Sequence, residues 1–260
     1  MTRSPATRVA SNQPPGQPGL VKSALRVLDL FELFEDQQHP MRVTEIAERL
    51  TAPQSSVSAL LKTLRARGYL DFNTSTRCYS PSARLSFLGD WAVGNYPNRG
   101  AIQDVMRRLA NETHESVLLG RRNGIMMQYL AVIESRRELR LVPHTGIQRP
   151  LHHSAIGIVL LAETSDDAIG RTVRRYNAEL GAKLGVVDES EVMQRVHTAR
   201  EAGYYRTLGL VNPGAGVLAK VLPSTIAAEP MAIGIAAPID RLQEQTFNFL
   251  DALQSAVKSI

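Results

Sequence analysis

The chain has 260 residues, 43% of them hydrophobic, with 30 Lys and Arg against 25 Asp and Glu. That composition supports one or two folded cores and excludes a wholly disordered chain, and no apolar run reaches the length of a membrane-spanning helix. The formal charge of +5 suits an anionic partner, while the single cysteine, Cys78, excludes an internal disulfide and fits a reducing cytoplasm.

Residues 1–19 hold Pro5, Pro14, Pro15 and Pro18 among Ser, Gln, Asn and Gly, which predicts a disordered tail without a signal-peptide hydrophobic stretch. Leu20 to Glu35 is amphipathic and predicts a helix burying Val21, Leu25, Leu28 and Phe31.

The stretch from Arg42 to Ser80 carries the strongest signal. Ile46, Ala47 and Leu50 form a short apolar face after Thr44, a residue able to cap a helix. Ala52-Pro53 then breaks the chain, and Val57, Leu60, Leu61 and Leu64 make one helical stripe ending at Gly68. The opposite face carries Gln54, Ser55, Ser58, Ala59, Lys62 and Arg65, with no acid among them. Two β-prone runs around Asn73-Thr74-Ser75-Thr76 predict a hairpin with Arg77 near its tip. Helix, break, basic helix, glycine and hairpin is the order of a winged helix-turn-helix. One helix fits a major groove, and short polar side chains at its N-terminal end reach base edges. Arg42, Arg49, Lys62, Arg65, Arg67, Arg77 and Arg84 against Glu45, Glu48 and Asp71 leave a net +4 in this region, most of the chain's charge. The expected DNA-contacting residues are Gln54, Ser55, Ser56, Ser58, Lys62, Arg65 and Arg77.

Ser82 to Asn95 predicts a linker helix with Leu85, Leu88 and Trp91 apolar, ending before Pro97. Ala101 to Thr113 follows as a helix with Ile102, Val105, Met106 and Leu109 on one face. Ser116–Arg121 and Ile125–Ile133 predict a hairpin turning at Asn123-Gly124, and Glu138–Thr145 a third strand. Ser154–Glu163 reads as a buried helix. Asp166 or Asp167 caps a helix running to about Leu180, and Glu189–Ala202 is another, ended by Gly203. Gly216–Leu222 and Met231–Ala236 are strands around a Pro223–Pro230 loop. Asp240–Ile260 closes the chain as one helix with Leu242, Phe249, Leu253 and Val257 buried. The expected division is a tail at 1–19, a winged helix-turn-helix domain at 20–81, a linker helix at 82–97 and a mixed α+β domain with a mostly antiparallel sheet at 98–260.

Strand phase points to a ligand site. Val217, Ala219 and Val221 share a face, as do the small residues Ala232, Gly234 and Ala236. His152-His153-Ser154 invites a hydrolase or metal reading, but adjacent histidines on extended chain point apart, and no nucleophile elbow, His-Glu-x-x-His or Cys-x-x-Cys is present. No cofactor, metal or catalytic residue is expected.

The chain resembles the IclR family of bacterial transcription regulators. The matching stretches are VKSALRVLDLFEL, VTEIAERL, SSVSALLKTLRARGYL, RRLANETHESVLLG, LHHSAIGIVLLA, AREAGYYRTLGLVNPGAGVLA and MAIGIAAPIDRL, in family order over nearly all of residues 20–260. The resemblance implies a GAF-like effector domain and a homodimer or homotetramer on a pseudo-palindromic operator, with half-sites about one helical turn apart or a multiple of it. Three departures stand out. Ala59 occupies the place of a recognition-helix arginine. Ile158 follows Gly157 where a lysine is usual. The family's polar effector contacts fall on Leu130, Thr207, Val217, Gly234 and Ala236. With Ala219, these are the expected effector residues. The expectation is a cytoplasmic, ligand-responsive repressor of a catabolic operon that senses a small apolar or aromatic molecule, such as an aromatic acid. The reading from another class is a small-molecule-binding or hydrolytic α+β protein whose N-terminal domain mediates protein contacts.

Overall fold

The computed structural model describes residues 21–85, 87–88, 99–138, 143–224 and 229–259, and the chain divides after Gly94 into two units. In the first unit, α1 (Lys22–Gln37) buries Leu30, Leu33 and Phe34. The expected face is therefore corrected: Val21 and Leu28 are 64% and 58% exposed. The helix carries apolar residues on two sides, and packing against Met41, Ile46, Leu61 and Tyr79 decides which side turns inward.

A two-residue strand, β1 (Met41–Arg42), leads directly into α2 (Val43–Arg49). Arg42, not Thr44, is the N-cap residue, and it caps with no side-chain bond. Helix α3 (Gln54–Ala66) follows Pro53 and buries Val57, Leu61 and Leu64. Gly68 takes φ +78° just past its end, and its N–H bonds the Arg65 carbonyl. Strands β2 (Leu70–Asn73) and β3 (Cys78–Pro81) form the hairpin. The sheet has the order β1-β3-β2 and is antiparallel throughout. Phe72 and Tyr79 face each other across it with ring centroids 4.6 Å apart. Residues 84–85 and 87–88 are helical. Ser82 and Ala83, expected in the linker helix, precede it as coil and turn, and residues 86 and 89–97 of that helix, Trp91 included, lie outside the described residues.

The second unit is built on a six-stranded sheet of order β6-β5-β4-β9-β8-β7, every pairing antiparallel. Its strands are β4 (Ser116–Asn123), β5 (Met126–Ile133), β6 (Gln148–Pro150), β7 (Tyr205–Leu208), β8 (Ala215–Val221) and β9 (Met231–Pro238). Side-chain alternation sends Val117, Leu119, Ile233, Ile235 and Leu218 to one face, where α4 (Arg99–Thr113), α8 (Ile239–Glu244) and α9 (Thr246–Lys258) cover them. It sends Leu118, Tyr129, Ala219, Ala232 and Ala236 to the other, under α5 (Ala155–Ala162), α6 (Asp166–Leu184) and α7 (Glu189–Ala202). Each fully buried aliphatic or aromatic side chain contributes about 1.5–3 kcal/mol.

Several expectations are corrected here. The strand beside β5 is Gln148–Pro150; of the expected strand at Glu138–Thr145, residues 139–142 lie outside the described residues. The β4–β5 hairpin turns at Gly124-Ile125, not Asn123-Gly124. Asn123 pairs with Met126, and Gly124 at φ +63° supplies the positive φ of the first turn position. Ser165 caps α6 by accepting the Ala168 N–H, so Asp166 and Asp167 sit in the first turn. The closing helix breaks at Gln245 into α8 and α9, although Leu242, Phe249, Leu253 and Val257 are all buried as expected.

Candidate nucleic-acid interface and ligand cavity

On the first unit, α3 presents Gln54, Ser55 and Ser56 exposed at its N-terminal turn, with Lys62 and Arg65 exposed further along and Ser58 half-buried. Pro53 offers no side-chain cap, so no side chain occupies the first-turn amides. Ala59 is exposed between the serines and Lys62, leaving a short, uncharged gap in the face. The Arg65 guanidinium lies 5.0 Å from the Phe72 ring centre, which ties it toward the hairpin. Arg77 is exposed in the hairpin turn at φ 55°. The Asn73 side chain holds that turn by accepting the N–H groups of Ser75 and Thr76 at 2.9 and 3.1 Å. Arg42 was missed as a site residue: its Nε donates to the Thr76 carbonyl at 3.2 Å and braces the turn. Only its place on the strand beside the hairpin, set by a pairing the sequence pattern does not reveal, gives it that role.

On the second unit, a cavity of about 100 Å³ lies over the α5 face of the sheet. Thr207, Val217 and Ala236 line it; Leu130, Ala219 and Gly234 do not. A bulge explains Leu130. Gly120 pairs with Tyr129 while Leu119 pairs with Ala131, so Leu130 is left over and packs on the opposite face. Tyr129 takes the wall instead. The small residues have a packing role. A Cβ on Gly234 would lie 3.2 Å from Val217 Cγ1, and one on Gly120 would lie 2.8 Å from Ile156 Cγ2. Gly120 lets α5 sit close on the sheet, Gly234 makes room for Val217 on the neighbouring strand, and α5 itself fills the volume beside Ala219 and Ala232.

The cavity's chemistry is apolar walls around a cation. Leu118, Ile147, Ile156, Val211 and Val217 supply the walls. Arg149 reaches in from β6, and its Nε is buried without a hydrogen-bond partner among the described residues. Burial pushes the Tyr129 phenol up, while the charge of Arg149 and a hydrogen bond from it pull the other way. The first turn of α5 also lines the cavity, and Ser154 caps it by accepting the Gly157 N–H at 2.9 Å. A helix N-terminus and an arginine together favour a negative group. The loop Gly209–Gly214 closes one side through Val211 and Asn212. A larger depression of about 850 Å³ runs along α7, but only that helix and its cap line it, so it has no opposing wall.

His152 and His153 do not form a metal pair. The His152 ring packs edge-on to Tyr176 at 4.4 Å, and burial, His153 and Arg195 lower its pKa to about 4. Among the described residues, no cluster of three His, Cys, Asp or Glu side chains could hold a metal. No helix of the described residues is long and apolar enough to cross a membrane.

A basic-faced helix with a bracing hairpin on one unit, and a small cavity on the other, fit a DNA-binding regulator. The chain belongs to the IclR family: the family model for the bacterial transcriptional regulator IclR C-terminal region matches residues 92–260, and that for the IclR helix-turn-helix domain matches residues 23–73. The HTH-type transcriptional regulator XynR of Escherichia coli K12 is 27% identical over 189 residues, 71% of this chain and 73% of that one. The effector domain of an IclR regulator from Acinetobacter sp. ADP1 is 31% identical with a TM-score of 0.56, covering 61% of this chain and 92% of that one. An IclR homologue from Microbacterium hydrocarbonoxydans, crystallised with 4-hydroxybenzoate, is 18% identical with a TM-score of 0.63, covering 91% and 96%. The protein is therefore an HTH-type transcriptional regulator with an effector-binding C-terminal domain, and the family's members are regulators, not enzymes.

Proposed function

We propose that the chain is a cytoplasmic repressor of a catabolic operon, acting as a homodimer or homotetramer and sensing a single-ring aromatic carboxylate. The observation that carries the effector class is Arg149, a half-buried cation that lines a cavity with largely apolar walls. A guanidinium among apolar walls gains a charge-assisted hydrogen bond from an incoming carboxylate. The cavity's size supports a small ligand. About 100 Å³ is far below the 300–1,000 Å³ typical for drug-sized molecules, and an apolar cavity of about 150 Å³ takes up benzene. At about 100 Å³ the cavity is smaller than that, so one substituted ring enters only as the Gly209–Gly214 loop moves to enlarge it. The relative crystallised with 4-hydroxybenzoate supports the same class.

In this reading Thr207, Val217 and Ala236 contact the effector directly, and Leu130, Ala219 and Gly234 shape the sheet behind it. Gln54, Ser55, Ser56, Ser58, Lys62, Arg65 and Arg77 contact operator DNA, the serines at base edges and the cations at phosphates. Residues 82–97 connect the domain at 20–81 to that at 98–260. Effector binding changes the spacing of the two recognition helices in the dimer, which requires different effector affinities in the two states.

Thermal unfolding with benzoate, benzamide and acetate tests the effector class. Benzoate at about a hundred times its Kd raises Tm by roughly 5–10 °C, and benzamide does much less. Stabilisation by acetate equal to that by benzoate sinks the aromatic reading.

A further inference from the structure

The hairpin of the first unit carries an aromatic platform beside the basic face of α3. Phe72 pairs with Tyr79 across β2 and β3, and their ring centroids are 4.6 Å apart. Tyr79 is 9% exposed and belongs to the core of this unit, against which Phe72 packs. The strand ends one residue later at Asn73, whose side chain holds the turn by accepting two backbone N–H groups. Phe72 is therefore a half-buried ring fixed by its neighbours.

Arg65 lies over that ring, its guanidinium carbon 5.0 Å from the centroid. The residue is exposed in the last turn of α3, on one helical line with Ser58 and Lys62. At 1.5 Å per residue, Arg65 stands about 15 Å along the axis from Ser55. With the first turn of α3 at base edges, that offset exceeds the roughly 12 Å width of a major groove and brings Arg65 to the backbone at its edge. A cation–π contact uses the ring's face and the cation's charge, and none of the guanidinium's N–H donors. Among the described residues, no hydrogen bond or ion pair occupies those donors.

We propose that Phe72 is a positioning residue for DNA binding: its ring holds the Arg65 guanidinium at the junction of helix and hairpin, with the N–H groups free to donate to a backbone phosphate. The premise is the Arg65–phosphate contact proposed above; the holding by Phe72 stands without DNA. An arginine free in solvent gives up its rotamer freedom when a phosphate fixes it. Here the ring has already removed much of that freedom, so the binding-ready conformer is the populated one and the apparent affinity rises with its population. Tyr79 behind the ring keeps the platform itself from moving.

Anisotropy titrations of the full chain, on the duplex beside its own gene and on a random-sequence duplex, test this with Phe72→Met, Phe72→Tyr, Arg65→Ala and the double variant Arg65→Ala with Phe72→Met. Methionine keeps an apolar side chain against the core but offers no ring face. Phe72→Met weakens binding to both duplexes by about two- to fivefold per protomer, the population shift that an exposed contact of this kind supplies. Its salt slope stays parental because the charge remains, whereas Arg65→Ala lowers the slope by about one per protomer. Phe72→Tyr binds as the parent does, and in the Arg65→Ala chain the methionine weakens binding no further. Equal losses from Phe72→Met with and without Arg65 overturn the positioning role, because a general loosening of the hairpin acts in both. An unchanged slope in Arg65→Ala refutes the phosphate contact, whatever Phe72 does; a lowered slope with additive losses refutes the positioning alone. The holding is also read without DNA and without any change at Phe72. In the free parent chain the Arg65 Nε–H resonance, assigned by its loss in Arg65→Ala, has an order parameter above about 0.6. A lower value, that of a flexible group, overturns the held guanidinium even where the methionine variant fails to fold.

Discussion

Gly157 is an instructive place to substitute alanine, because two opposing effects have different sizes there. In an exposed helix the change gains up to about 1 kcal/mol from helix propensity. Here an added Cβ would fall on the Leu151 carbonyl oxygen and lie 2.6 Å from its carbon and 2.7 Å from its Cα. Ordinary carbon contacts need ~3.5 Å or more, so the 3-10 turn and α5 must separate by about 1 Å. Both are buried backbone, with no flexible side chain to yield: Leu151 and Ile156 are each 1% exposed. Such overpacking costs about 1–3 kcal/mol, and the displacement also strains the Ser154 cap, worth about 1 kcal/mol. The clash wins, leaving Gly157→Ala about 1–3 kcal/mol less stable. At roughly 2–4 °C per kcal/mol, Tm falls by about 2–12 °C in a thermal melt followed by circular dichroism. Because Ser154, Ala155 and Ile156 line the cavity, benzoate affinity falls as well. A variant with raised Tm would falsify the close approach of turn and helix.

Other substitutions probe other parts. Glu115 is 1% exposed and bonds Arg241 at 2.7 and 3.1 Å, with Arg137 3.3 Å away. Glu115→Gln costs about 2–4 kcal/mol, discounted from the cost of a fully buried pair because both arginines reach solvent; denaturant midpoints of the single variant and of Glu115→Gln with Arg241→Met check this, the double being the more stable. His152 has its folded pKa lowered from 6.5 to about 4. The unfolded chain therefore binds more protons below pH 6.5, and the group's contribution, full above that value, is lost as pH falls toward 4; Tm measured against pH shows this slope in the parent, and His152→Phe flattens it. Lys62→Ala weakens binding to all DNA sequences about equally and lowers the salt slope by about two in a dimer, one per protomer, as anisotropy titrations at several salt concentrations measure.

Much of this was legible in the sequence where one local pattern acts alone. The stripe Val57, Leu61 and Leu64, the stop at Gly68 and the Glu189–Ala202 helix needed only neighbours three or four residues away. Elements whose existence depends on a partner strand were not legible. Met41–Arg42, Gln148–Pro150 and Tyr205–Leu208 are too short to show alternation. The buried face of α1 was ambiguous because Leu28 and Leu30 are equally apolar, and only tertiary contact separates them. In the cavity, strand phase located Val217 and Ala236, while one bulge moved Leu130 to the other side. Arg149 gives no signal, because an arginine in a short strand reads as a solvated side chain until its place on the cavity wall is seen. The small residues of β8 and β9 suggest ligand space in the sequence, yet most of that space belongs to α5.

The most direct test of the regulator reading is a fluorescence anisotropy titration of the full chain with the DNA beside its own gene, across salt concentrations, with and without benzoate. With Lys62, Arg65 and Arg77 meeting phosphate in each half-site, the slope of log affinity against log salt is roughly −5 for a dimer, and benzoate shifts the affinity at every salt concentration. An affinity indifferent to both salt and benzoate contradicts the account.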